Sequence, residues 1–382
     1  MPKLDHIHTA PQKILILGAN GQLGQAFAHM FEAKLALTQQ GVAGDYVETT
    51  AKHRLLGSNQ ASAQNQNRYK RINESILTLH GPSQGGPDLS TEQGLQALER
   101  YLLSHRPSLV INAVAYTAVD QAEQELDKAY QLNTALPERL VKILAQWQGR
   151  LIHFSTDYVF NPKYDSTAFQ GDTTKRCVVG DGVESFTPYH DLSKCTEDAV
   201  AEPINTYGLS KLAGEQAVMQ SGLSLLLIRT SWLYSKSGHN FFTIMRRLMQ
   251  SQEQVTVVND QWGVPSSVDF VARYTWALQQ QGAQGLFHVV PDGVCTWFEF
   301  AHTIAKELKA VGEDLRVTEI LAQTYQQYQT QRQQVAKMDA QSLKRVADRP
   351  AYAVLDNTKL KRTLGLAELT SWQESLQELV QS

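Results

Sequence analysis

The feature that most constrains this chain is a glycine pattern, Gly18-x-x-Gly21-x-x-Gly24, that follows directly on a short apolar run. The run, residues 13–17, predicts a buried strand, and the apolar spacing of residues 25–33 predicts a helix. Glycine permits the tight turn between them and lets backbone N–H groups approach a pyrophosphate at the positive end of the helix. Strand, turn and helix together predict a dinucleotide-binding unit.

Strands and helices alternate beyond this turn. Residues 109–113 and 151–155 are apolar runs typical of buried strands, and residues 91–104 and 128–146 have helical spacing. This alternation implies right-handed crossovers and a parallel sheet. We therefore expect an α/β fold, a Rossmann-like doubly wound parallel sheet with a smaller C-terminal substrate-binding lobe.

The expected domain organisation is a flexible N-terminus (1–12), an NAD(P)-binding Rossmann domain (13–235) and a remainder (236–382) that is mainly the smaller lobe. Polar insertions at about 39–73 and 163–203 interrupt the Rossmann domain. The first is rich in Gln, Asn and Ser, which bury too little apolar area to offset the cost of ordering the chain. We expect it to be a mobile, dispensable surface insertion.

Charge and cysteine content narrow the classes of partner and compartment. A net charge of −3 supplies no broad attraction for nucleic acid or an anionic membrane. No apolar run of about 18 residues predicts a membrane span. The three cysteines (Cys177, Cys195 and Cys295) are odd in number and widely spaced, which favours reduced thiols in a cytoplasmic protein.

A tyrosine and a lysine, Tyr207 and Lys211, lie four residues apart on a predicted helix and hence on one face. An unperturbed tyrosine has a pKa of about 10 and is a poor acid or base near neutrality. A lysine charge held nearby would stabilise the phenolate and favour proton transfer. The same spacing is common on solvated helices, so the pair does not decide the function alone.

Hydroxyl and carboxyl side chains follow the predicted strand 151–155, at the end where open α/β sheets bind ligands. Thr156 offers a hydroxyl that can orient a substrate carbonyl, and Asp157 can accept hydrogen bonds from sugar hydroxyls. The alternative for Asp157 is a helix cap or a turn. Together with Tyr207 and Lys211, these residues predict a catalytic site for carbonyl chemistry.

The choice between NADH and NADPH is left open by the sequence. Residues 35–38 hold neither the acidic residue nor the arginine that usually discriminates between the two cofactors. Asp88 and Leu89 lie where the end of a third strand could contact adenine. The alternative for Asp88 is a simple turn former.

At this point the sequence resembles the extended short-chain dehydrogenase/reductases, and among them the dTDP-4-dehydrorhamnose reductase family. The resemblance runs nearly the length of the chain. The glycine turn and the Tyr/Lys pair are shared by the whole superfamily, whereas the TAVD, STDYVF and DQWGVP segments are much narrower. The segments are GANGQLG (18–24), NAVAYTAVDQAE (112–123), STDYVF (155–160), YGLSKLAGE (207–215), RTSWLY (229–234), NDQWGVPS (259–266) and RPAYAVLDNTKL (349–360).

The resemblance implies that NADPH or NADH reduces the C4 keto group of dTDP-4-dehydro-L-rhamnose to give dTDP-L-rhamnose, a precursor in carbohydrate (O-antigen) biosynthesis. Tyr207 would be the proton donor, Lys211 its partner and ribose ligand, and Thr156 would orient the carbonyl. The implied cofactor contacts are Gly18, Gly21, Gln22, Leu23, Gly24, Asp88, Leu89, Ala115, Tyr116 and Thr117. The implied substrate contacts are Thr117, Val119, Asp120, Thr156, Asp157 and Trp232.

Two other functions and one structural role for a site residue remain as alternatives, and the chain differs from the family at one metal-binding position. A non-catalytic regulatory subunit, similar to the accessory subunit of methionine adenosyltransferase, would share the fold. A nucleotide-sugar dehydratase would place Asp-Glu after Thr156, where this chain has Asp157-Tyr158. A tryptophan such as Trp232 is also a common core anchor. Some family members bind magnesium through glutamates between subunits, but Ala26 stands at one such position, so we expect no metal and a monomer or homodimer.

Overall fold

The computed structural model describes residues 13–39, 69–73, 76–162, 176–178, 194–338 and 346–382. The N-terminus 1–12 lies outside these residues, as do most of the segments 39–73 and 163–203. The described strands are β1 (Ile14–Leu17), β2 (Tyr69–Asn73), β3 (Ile76–Leu79), β4 (Leu109–Asn112), β5 (Arg150–Thr156), β6 (Arg176–Val178), β7 (Leu225–Thr230), β8 (Leu233–Tyr234), β9 (Gln254–Val258), β10 (Trp262–Gly263), β11 (Ser266–Ser267), β12 (Gly285–His288), β13 (Cys295–Thr296) and β14 (Glu319–Gln323).

Most helices in the described residues flank these strands. They are α1 (Gln22–Gln39), α2 (Glu92–His105), α3 (Val119–Ala122), α4 (Leu126–Tyr130), α5 (Leu136–Leu144), α6 (Thr206–Met219), α7 (Phe241–Ser251), α8 (Val268–Gln280), α9 (Trp297–Ala310), α10 (Tyr325–Met338), α11 (Thr358–Leu364) and α12 (Trp372–Gln381). A π-helical segment, Gln131–Ala135, joins α4 to α5. Among the described residues, no helix has the length and apolar character needed to span a membrane.

The main sheet has the strand order β12-β7-β5-β4-β1-β3-β2. All neighbouring pairs are parallel except β2 and β3, which pair antiparallel at one edge. Strand order reverses at β1, which lies between β4 and β3. Ligands of open α/β sheets bind at such a reversal, outside the carboxyl ends of the strands. The loops after β1, β4, β5 and β7 are therefore the expected ligand-binding region.

Both faces of the sheet are buried, as expected for parallel strands covered by crossover helices. Along β1, Ile14 and Ile16 pack on the side of α1 and α8, whereas Leu15 and Leu17 pack on the side of α2 and α5. This alternation follows from the two-residue period of a strand. The expected Rossmann-like, doubly wound α/β fold is confirmed.

Residues beyond 235 belong partly to a separate core and partly to the main sheet. Helices α7, α9 and α12 enclose a separate core that includes Phe242, Phe298 and Trp372. A small sheet of order β6-β14-β9 lies beside it. In contrast, α8 packs against α1, and β12 pairs with β7 of the main sheet. Residues beyond 235 thus also complete the Rossmann sheet, while the division at 235 stays a prediction.

Several element predictions differ in detail from the structure. The helix expected at 128–146 is interrupted by the π-helical segment Gln131–Ala135. The two predicted insertions are not wholly irregular, because β2 ends the first one and β6, within the second, pairs with β14. The Gln-rich segment 323–334, for which the sequence makes no prediction above, lies largely in α10.

Candidate active site

The glycine turn between β1 and α1 is shaped by close backbone contacts. Gly18 has a φ of +75°, a conformation that L side chains rarely adopt. A Cβ on Gly24 would lie 2.2 Å from the carbonyl oxygen of Gly18, so only glycine lets the helix approach the strand end this closely. The Gly21 N–H donates to the same carbonyl at 2.9 Å. Helix α1 then begins at Gln22.

This turn fits the pyrophosphate of a dinucleotide. The first N–H groups of a helix have no partner within the helix, and they carry the positive end of its dipole. Leu23 and Gly24 are buried in this first turn. The side-chain Nδ2 of Asn20 is also buried, with no hydrogen-bond acceptor among the described residues. An acceptor-rich anion would satisfy these donors.

The side chain of Gln22 does not point its oxygen toward the turn. Gln22 Oε1 lies 2.7 Å from Ser235 Oγ and 2.8 Å from Asn240 Nδ2. Asn240 is the N-cap of α7 and accepts from the Thr243 N–H. Gln22 therefore joins the cofactor turn to the C-terminal lobe, which leaves its backbone N–H for a phosphate.

The loop after β4, with Ala115, Tyr116 and Thr117, is fixed by one buried asparagine. Asn133 Oδ1 accepts the Tyr116 N–H at 2.9 Å, and Asn133 Nδ2 lies 3.1 Å from the Tyr116 carbonyl and 3.0 Å from Ser210 Oγ. Asn133 lies in the π-helical segment, and Ser210 lies on α6. The interruption of the helix thus serves to tie this loop to the helix that carries Tyr207.

Asp88 and Leu89 lie before α2. Asp88 is exposed and accepts hydrogen bonds from the Ser90 N–H and hydroxyl at 3.0 and 2.6 Å. Leu89 is buried in the core on the α2 side of the sheet. These contacts are those of a turn former and a core residue, and a contact of either with adenine stays a prediction.

Helix α6 carries Tyr207 and Lys211. Asn205 caps the helix by accepting the Gly208 N–H at 2.7 Å. A Cβ on Gly208 would lie 2.3 Å from the Tyr158 carbonyl oxygen, so the helix start packs directly on the loop after β5. Lys211 is 2% exposed, and its Nζ donates to the Phe154 carbonyl at 2.5 Å.

The pKa values of Tyr207 and Lys211 differ from what the sequence led us to expect. Burial raises the pKa of Tyr207 to about 12, a hydrogen bond with Thr156 opposes this, and the Asp157 charge adds to it. Burial lowers the pKa of Lys211 to about 8, and Glu215 opposes that shift. The expected lowering of the Tyr207 pKa by Lys211 is therefore wrong for this arrangement. Burial is the largest influence on the pKa of the phenol, and the ammonium donates to the Phe154 carbonyl.

Thr156 and Asp157 end β5 beside Tyr207. Thr156 Oγ1 donates to Asp157 Oδ1 at 3.0 Å and also accepts the Tyr158 N–H at 3.2 Å, so Thr156 caps the short turn that follows. Asp157 is 2% exposed, and burial raises its pKa to about 7, against hydrogen bonds from Thr156 and the backbone. The rings of Tyr158 and Tyr207 meet edge to face at 5.5 Å. The structure thus brings Thr156, Asp157 and Tyr207 together.

A pocket opens next to these residues. It is lined by Asp157, Tyr158, Trp232, Gln261, Trp262, Trp297, Arg349, Pro350 and Ala353. Trp232 and Asp157 were predicted from the sequence, whereas Gln261, Trp297 and Arg349 were not. Gln261 Nε2 is buried with no acceptor in the described part of the chain. The NDQWGVPS and RPAYAVLDNTKL segments, which hold Gln261 and Arg349, were the available signal.

Asp120 connects the Rossmann domain to this pocket. Its carboxylate lies 2.7 Å from an Arg332 nitrogen and 3.0 Å from an Arg349 nitrogen, and it accepts the Ala347 N–H at 3.0 Å. Burial raises the pKa of Asp120, but the two arginines outweigh burial and hold it below its ordinary value. Val119 begins α3 beside it. Asp120 is therefore occupied by arginines in this structure, and its contact with a sugar stays a prediction.

Ala26 and two glutamates that could in principle bind a cation, Glu253 and Glu299, each have other contacts. Ala26 is 4% exposed within the core on α1. Glu299 closes the capping box of α9, and Glu253 pairs with Arg316 at 3.1 Å. Within the described ranges, no group of three or more His, Cys, Asp or Glu side chains could hold a metal ion. The absence of a metal stays a prediction.

Comparisons with known proteins agree with this geometry. A family model described as "RmlD substrate binding domain" matches residues 12–382. The dTDP-4-dehydrorhamnose reductase of Escherichia coli K12 is 30% identical over 298 residues, which cover 77% of this chain and 84% of that protein. A dTDP-4-keto-6-deoxy-D-glucose reductase of Streptomyces niveus is 36% identical over 211 residues, covering 54% of this chain and 62% of that protein.

A solved structure with the same fold holds a bound dinucleotide. It is the dTDP-4-dehydrorhamnose reductase of Bacillus anthracis in complex with NADP, which matches with a TM-score of 0.65 and 26% identity. The match covers 97% of this chain and 99% of that one. The likeness therefore extends over both the Rossmann sheet and the C-terminal lobe.

Proposed function

This chain belongs to the RmlD substrate-binding-domain family, and from that premise we propose that it reduces the C4 ketone of dTDP-4-dehydro-L-rhamnose to dTDP-L-rhamnose with NADPH. The resemblance to the dTDP-4-dehydrorhamnose reductases is confirmed by the relatives. The observation that supports the proposal is that Tyr207, Thr156 and Lys211 lie around the end of β5, beside a pocket and at the same edge of the sheet as the glycine turn after β1.

When bound, NADPH supplies the hydride that reduction of a ketone requires. The glycine turn at Gly18, Gly21 and Gly24 would hold its pyrophosphate, with the backbone N–H groups of Gln22 and Leu23 as donors. Ala115, Tyr116 and Thr117 would line the nicotinamide side. Lys211 would donate to the ribose. The cofactor of the Bacillus anthracis protein, NADP, supports NADPH over NADH.

Tyr207 would donate the proton that the ketone oxygen requires. Its pKa of about 12 means that the phenol keeps its proton throughout the neutral range. The proton therefore leaves only when hydride addition turns the carbonyl oxygen into a much stronger base, an alkoxide. The product is a neutral hydroxyl and a Tyr207 phenolate, to which solvent then returns the proton. Thr156 orients the carbonyl.

The pocket supplies the groups that a nucleotide sugar requires. Asp157, with a pKa of about 7, accepts from sugar hydroxyls when ionised and donates when protonated. Trp232 and Gln261 offer N–H donors. Arg349 adds a positive charge that Asp120 only partly balances, because Arg332 shares the same carboxylate. A diphosphate carries the charge that this cluster would attract.

Two alternatives receive less support. A regulatory subunit needs no proton donor, yet Tyr207, Lys211 and Thr156 are held together here, and the relatives are named as reductases. A dehydratase needs a second carboxylate after Thr156, where this chain has Asp157 and then Tyr158. Reduction therefore accounts for the site with the residues present.

The substrate is a small nucleotide sugar, and the protein is a monomer or homodimer without nucleic acid or membrane partners. We place it in the cytoplasm, since Cys195 and Cys295 are buried free thiols of the kind that a reducing compartment preserves.

The test is an assay of NADPH and NADH oxidation with two substrates, dTDP-4-dehydro-L-rhamnose and dTDP-4-keto-6-deoxy-D-glucose. We expect turnover with the first substrate and NADPH, with dTDP-L-rhamnose identified by mass and NMR. Turnover only with the second substrate would support the activity for which the Streptomyces niveus relative is named. Binding of NADPH without turnover of either would favour the regulatory alternative.

A further inference from the structure

Tyr207 lies in the first turn of α6, where a helix is held least firmly. The helix begins at Thr206, so Tyr207 is its second residue. The first N–H groups of a helix have no acceptor within it, and helix ends fray unless other groups bond to them. The position of the Tyr207 phenol therefore depends on the groups that cap this turn.

Two side chains cap the first turn of α6. Glu123, which follows α3, accepts the Thr206 N–H at 2.8 Å. Asn205, the N-cap residue, accepts the Gly208 N–H through Oδ1 at 2.7 Å. The backbone on each side of Tyr207 is thus bonded to a side chain outside the helix proper.

The Asn205 amide makes a second contact that leads away from the helix. Its Nδ2 donates to the Asp348 carbonyl at 2.8 Å, across 143 positions of the sequence. Asn205 is 3% exposed, so this bond is shielded from solvent. A helix cap requires only the side-chain oxygen, which serine or aspartate also supplies. The amide nitrogen of Asn205 therefore has a role that capping does not explain.

Asp348 belongs to a segment, 347–349, that also forms part of the pocket wall. Arg349 lines the pocket. Asp120 holds the segment in place, because its carboxylate accepts the Ala347 N–H at 3.0 Å and an Arg349 N–H at 3.0 Å. The segment thus lies between the pocket and the start of α6, with the Asp348 carbonyl as its bond to the helix cap.

The first turn of α6 also packs closely on the loop after β5. A Cβ on Gly208 would lie 2.3 Å from the Tyr158 carbonyl oxygen and 2.9 Å from Pro203 Cβ. Because these backbones are in contact, the position of the turn sets how the Tyr207 phenol lies relative to Thr156 at the end of β5.

We propose that Asn205 is a positioning residue that couples the pocket to the proton donor Tyr207. Binding of a sugar nucleotide at Arg349 fixes the segment 347–349, and the Asn205 amide then fixes the first turn of α6. A misplacement of about 1 Å at reacting groups can cost about 10²-fold in rate, so loss of this contact is expressed in kcat. The proposal rests on the proposed function, which gives Arg349 and Tyr207 their roles.

Two substitutions separate this contact from the helix cap. Asn205→Ser keeps a capping oxygen but is one bond too short to reach the Asp348 carbonyl at the same time, and Asn205→Asp keeps the length but has no N–H when ionised. We expect both variants to lose kcat roughly tenfold. KM for the sugar nucleotide should change less than about threefold, because Asp120 still holds Arg349. Calorimetric NADPH affinity should stay close to wild type.

A cap alone predicts a different result. Wild-type kcat in both variants would overturn the proposal, because serine and aspartate cap a helix as well as asparagine does. A raised KM with unchanged kcat would also overturn it, since the contact would then shape the pocket without acting on Tyr207.

Hydrogen exchange measures the coupling without turnover. Addition of dTDP-L-rhamnose to wild type should slow the amide exchange of residues 206–209, followed by mass spectrometry, because the ligand stabilises the turn against local opening. The slowing should be lost in Asn205→Ser. Equal slowing in the two proteins, or none in wild type, would contradict the coupling.

A double-mutant cycle provides a test that needs no ligand. Asn205 and Asp120 hold the same segment, so the losses of unfolding free energy in urea caused by Asn205→Ser and Asp120→Asn should not be additive. Additive losses would overturn the proposal.

Ser371→Ala is the matched control. It removes the N-cap of α12, where the Ser371 hydroxyl accepts the Glu374 N–H at 3.2 Å, and it should lower stability without changing kcat or the exchange of residues 206–209. Wild type that reduces neither ketone would refute the proposed function, whereas the exchange and the double-mutant cycle would still decide the coupling.

Discussion

The side-chain oxygen of Gln22 lies 2.7 Å from the hydroxyl oxygen of Ser235, a residue 213 positions further along the chain. Asn240 Nδ2 donates to the same Gln22 oxygen at 2.8 Å. Ser235 and Asn240 are both 7% exposed. Gln22 Oε1 therefore links the glycine turn to the loop that follows Trp232, where the Ser237 carbonyl is a second acceptor for both donors.

Replacement of Gln22 by methionine should therefore lower stability more than cofactor affinity. The variant removes one hydrogen-bond acceptor while Ser235 Oγ and Asn240 Nδ2 keep the Ser237 carbonyl at 2.7 and 3.0 Å, so we expect a loss of about 0.5–1.5 kcal/mol of unfolding free energy in urea. NADPH affinity should change less than about threefold, since the backbone N–H is retained, a difference of under about 0.7 kcal/mol. Gln22→Glu keeps an acceptor for both donors but adds a negative charge where the pyrophosphate binds, so it should weaken NADPH binding more.

A double-mutant cycle checks this tie directly. Gln22→Met and Ser235→Ala should not be additive, with a coupling energy of about 0.5–3 kcal/mol. Gln96→Met is the matched control, because Gln96 makes only an exposed bond to Glu92 on α2. Additive effects of Gln22 and Ser235 would show that the contact contributes nothing in solution.

Tyr207→Phe should abolish most turnover while leaving both ligands bound. Loss of a general acid costs about 10²-fold or more in kcat. The phenylalanine ring keeps the edge-to-face contact with Tyr158, so the fold and the NADPH affinity should be close to wild type. Stopped-flow single-turnover rates, with calorimetry for NADPH, separate the two effects. Near-normal turnover in the purified variant would assign the proton transfer to another group, with Asp157 the first to examine.

The pKa of Lys211 should appear in cofactor binding. Burial lowers it to about 8, so in the free protein Lys211 is charged below that pH and neutral above it. The ammonium is the better partner for a ribose hydroxyl and for the negative cofactor. NADPH affinity should therefore fall several-fold as the pH rises through about 8. Tyr207, with a pKa of about 12, stays protonated over the same range and cannot cause the change.

Lys211→Met is the control for this titration. Its NADPH affinity should be lower than that of wild type at pH 7 and should not change as the pH rises through about 8. A wild-type profile that is equally flat would mean that Lys211 keeps its ordinary pKa or does not contact the cofactor.

The parts of the site that lie within short stretches of sequence could be predicted. The glycine turn, the strand that ends in Thr156 and the helix with Tyr207 and Lys211 each lie within a short segment. Their meeting follows from the rule that parallel strands end at one edge. The direction of the Tyr207 pKa was predicted wrongly, because four-residue spacing does not reveal how deeply a hydroxyl is buried.

Residues that depend on distant packing could not be found in this way. Gln261, Trp297 and Arg349 reach the pocket from separate elements of the C-terminal part of the chain. The left-handed backbone of Trp232 follows from hydrogen bonds to residues more than 30 positions away. No periodicity in the sequence records such contacts. The narrow family segments marked the correct regions without assigning the contacts.

The Asp120 carboxylate should stabilise the junction between the Rossmann domain and the C-terminal lobe. It pairs with Arg332 and Arg349, whose side chains are 28% and 20% exposed, while its own is 13% exposed. Asp120→Asn removes the charge that both arginines share. Because the cluster is only partly buried, we expect a loss of about 1–2 kcal/mol in unfolding free energy, with a several-fold rise in KM for the sugar nucleotide since Arg349 lines the pocket.

The pH dependence gives this prediction a second measurement. The arginines hold the pKa of Asp120 below its ordinary value of 3.8, so the unfolded chain takes up the proton first as the pH falls. The stabilising contribution is therefore complete above pH 3.8 and is lost as the pH falls through the lower folded-state pKa. The difference in unfolding free energy between wild type and Asp120→Asn in urea should narrow over that range.

Glu313→Gln, which disrupts the more exposed pair with Arg246, should cost under about 1 kcal/mol of unfolding free energy. Equal losses for the two variants would show that Asp120 acts as an ordinary surface carboxylate.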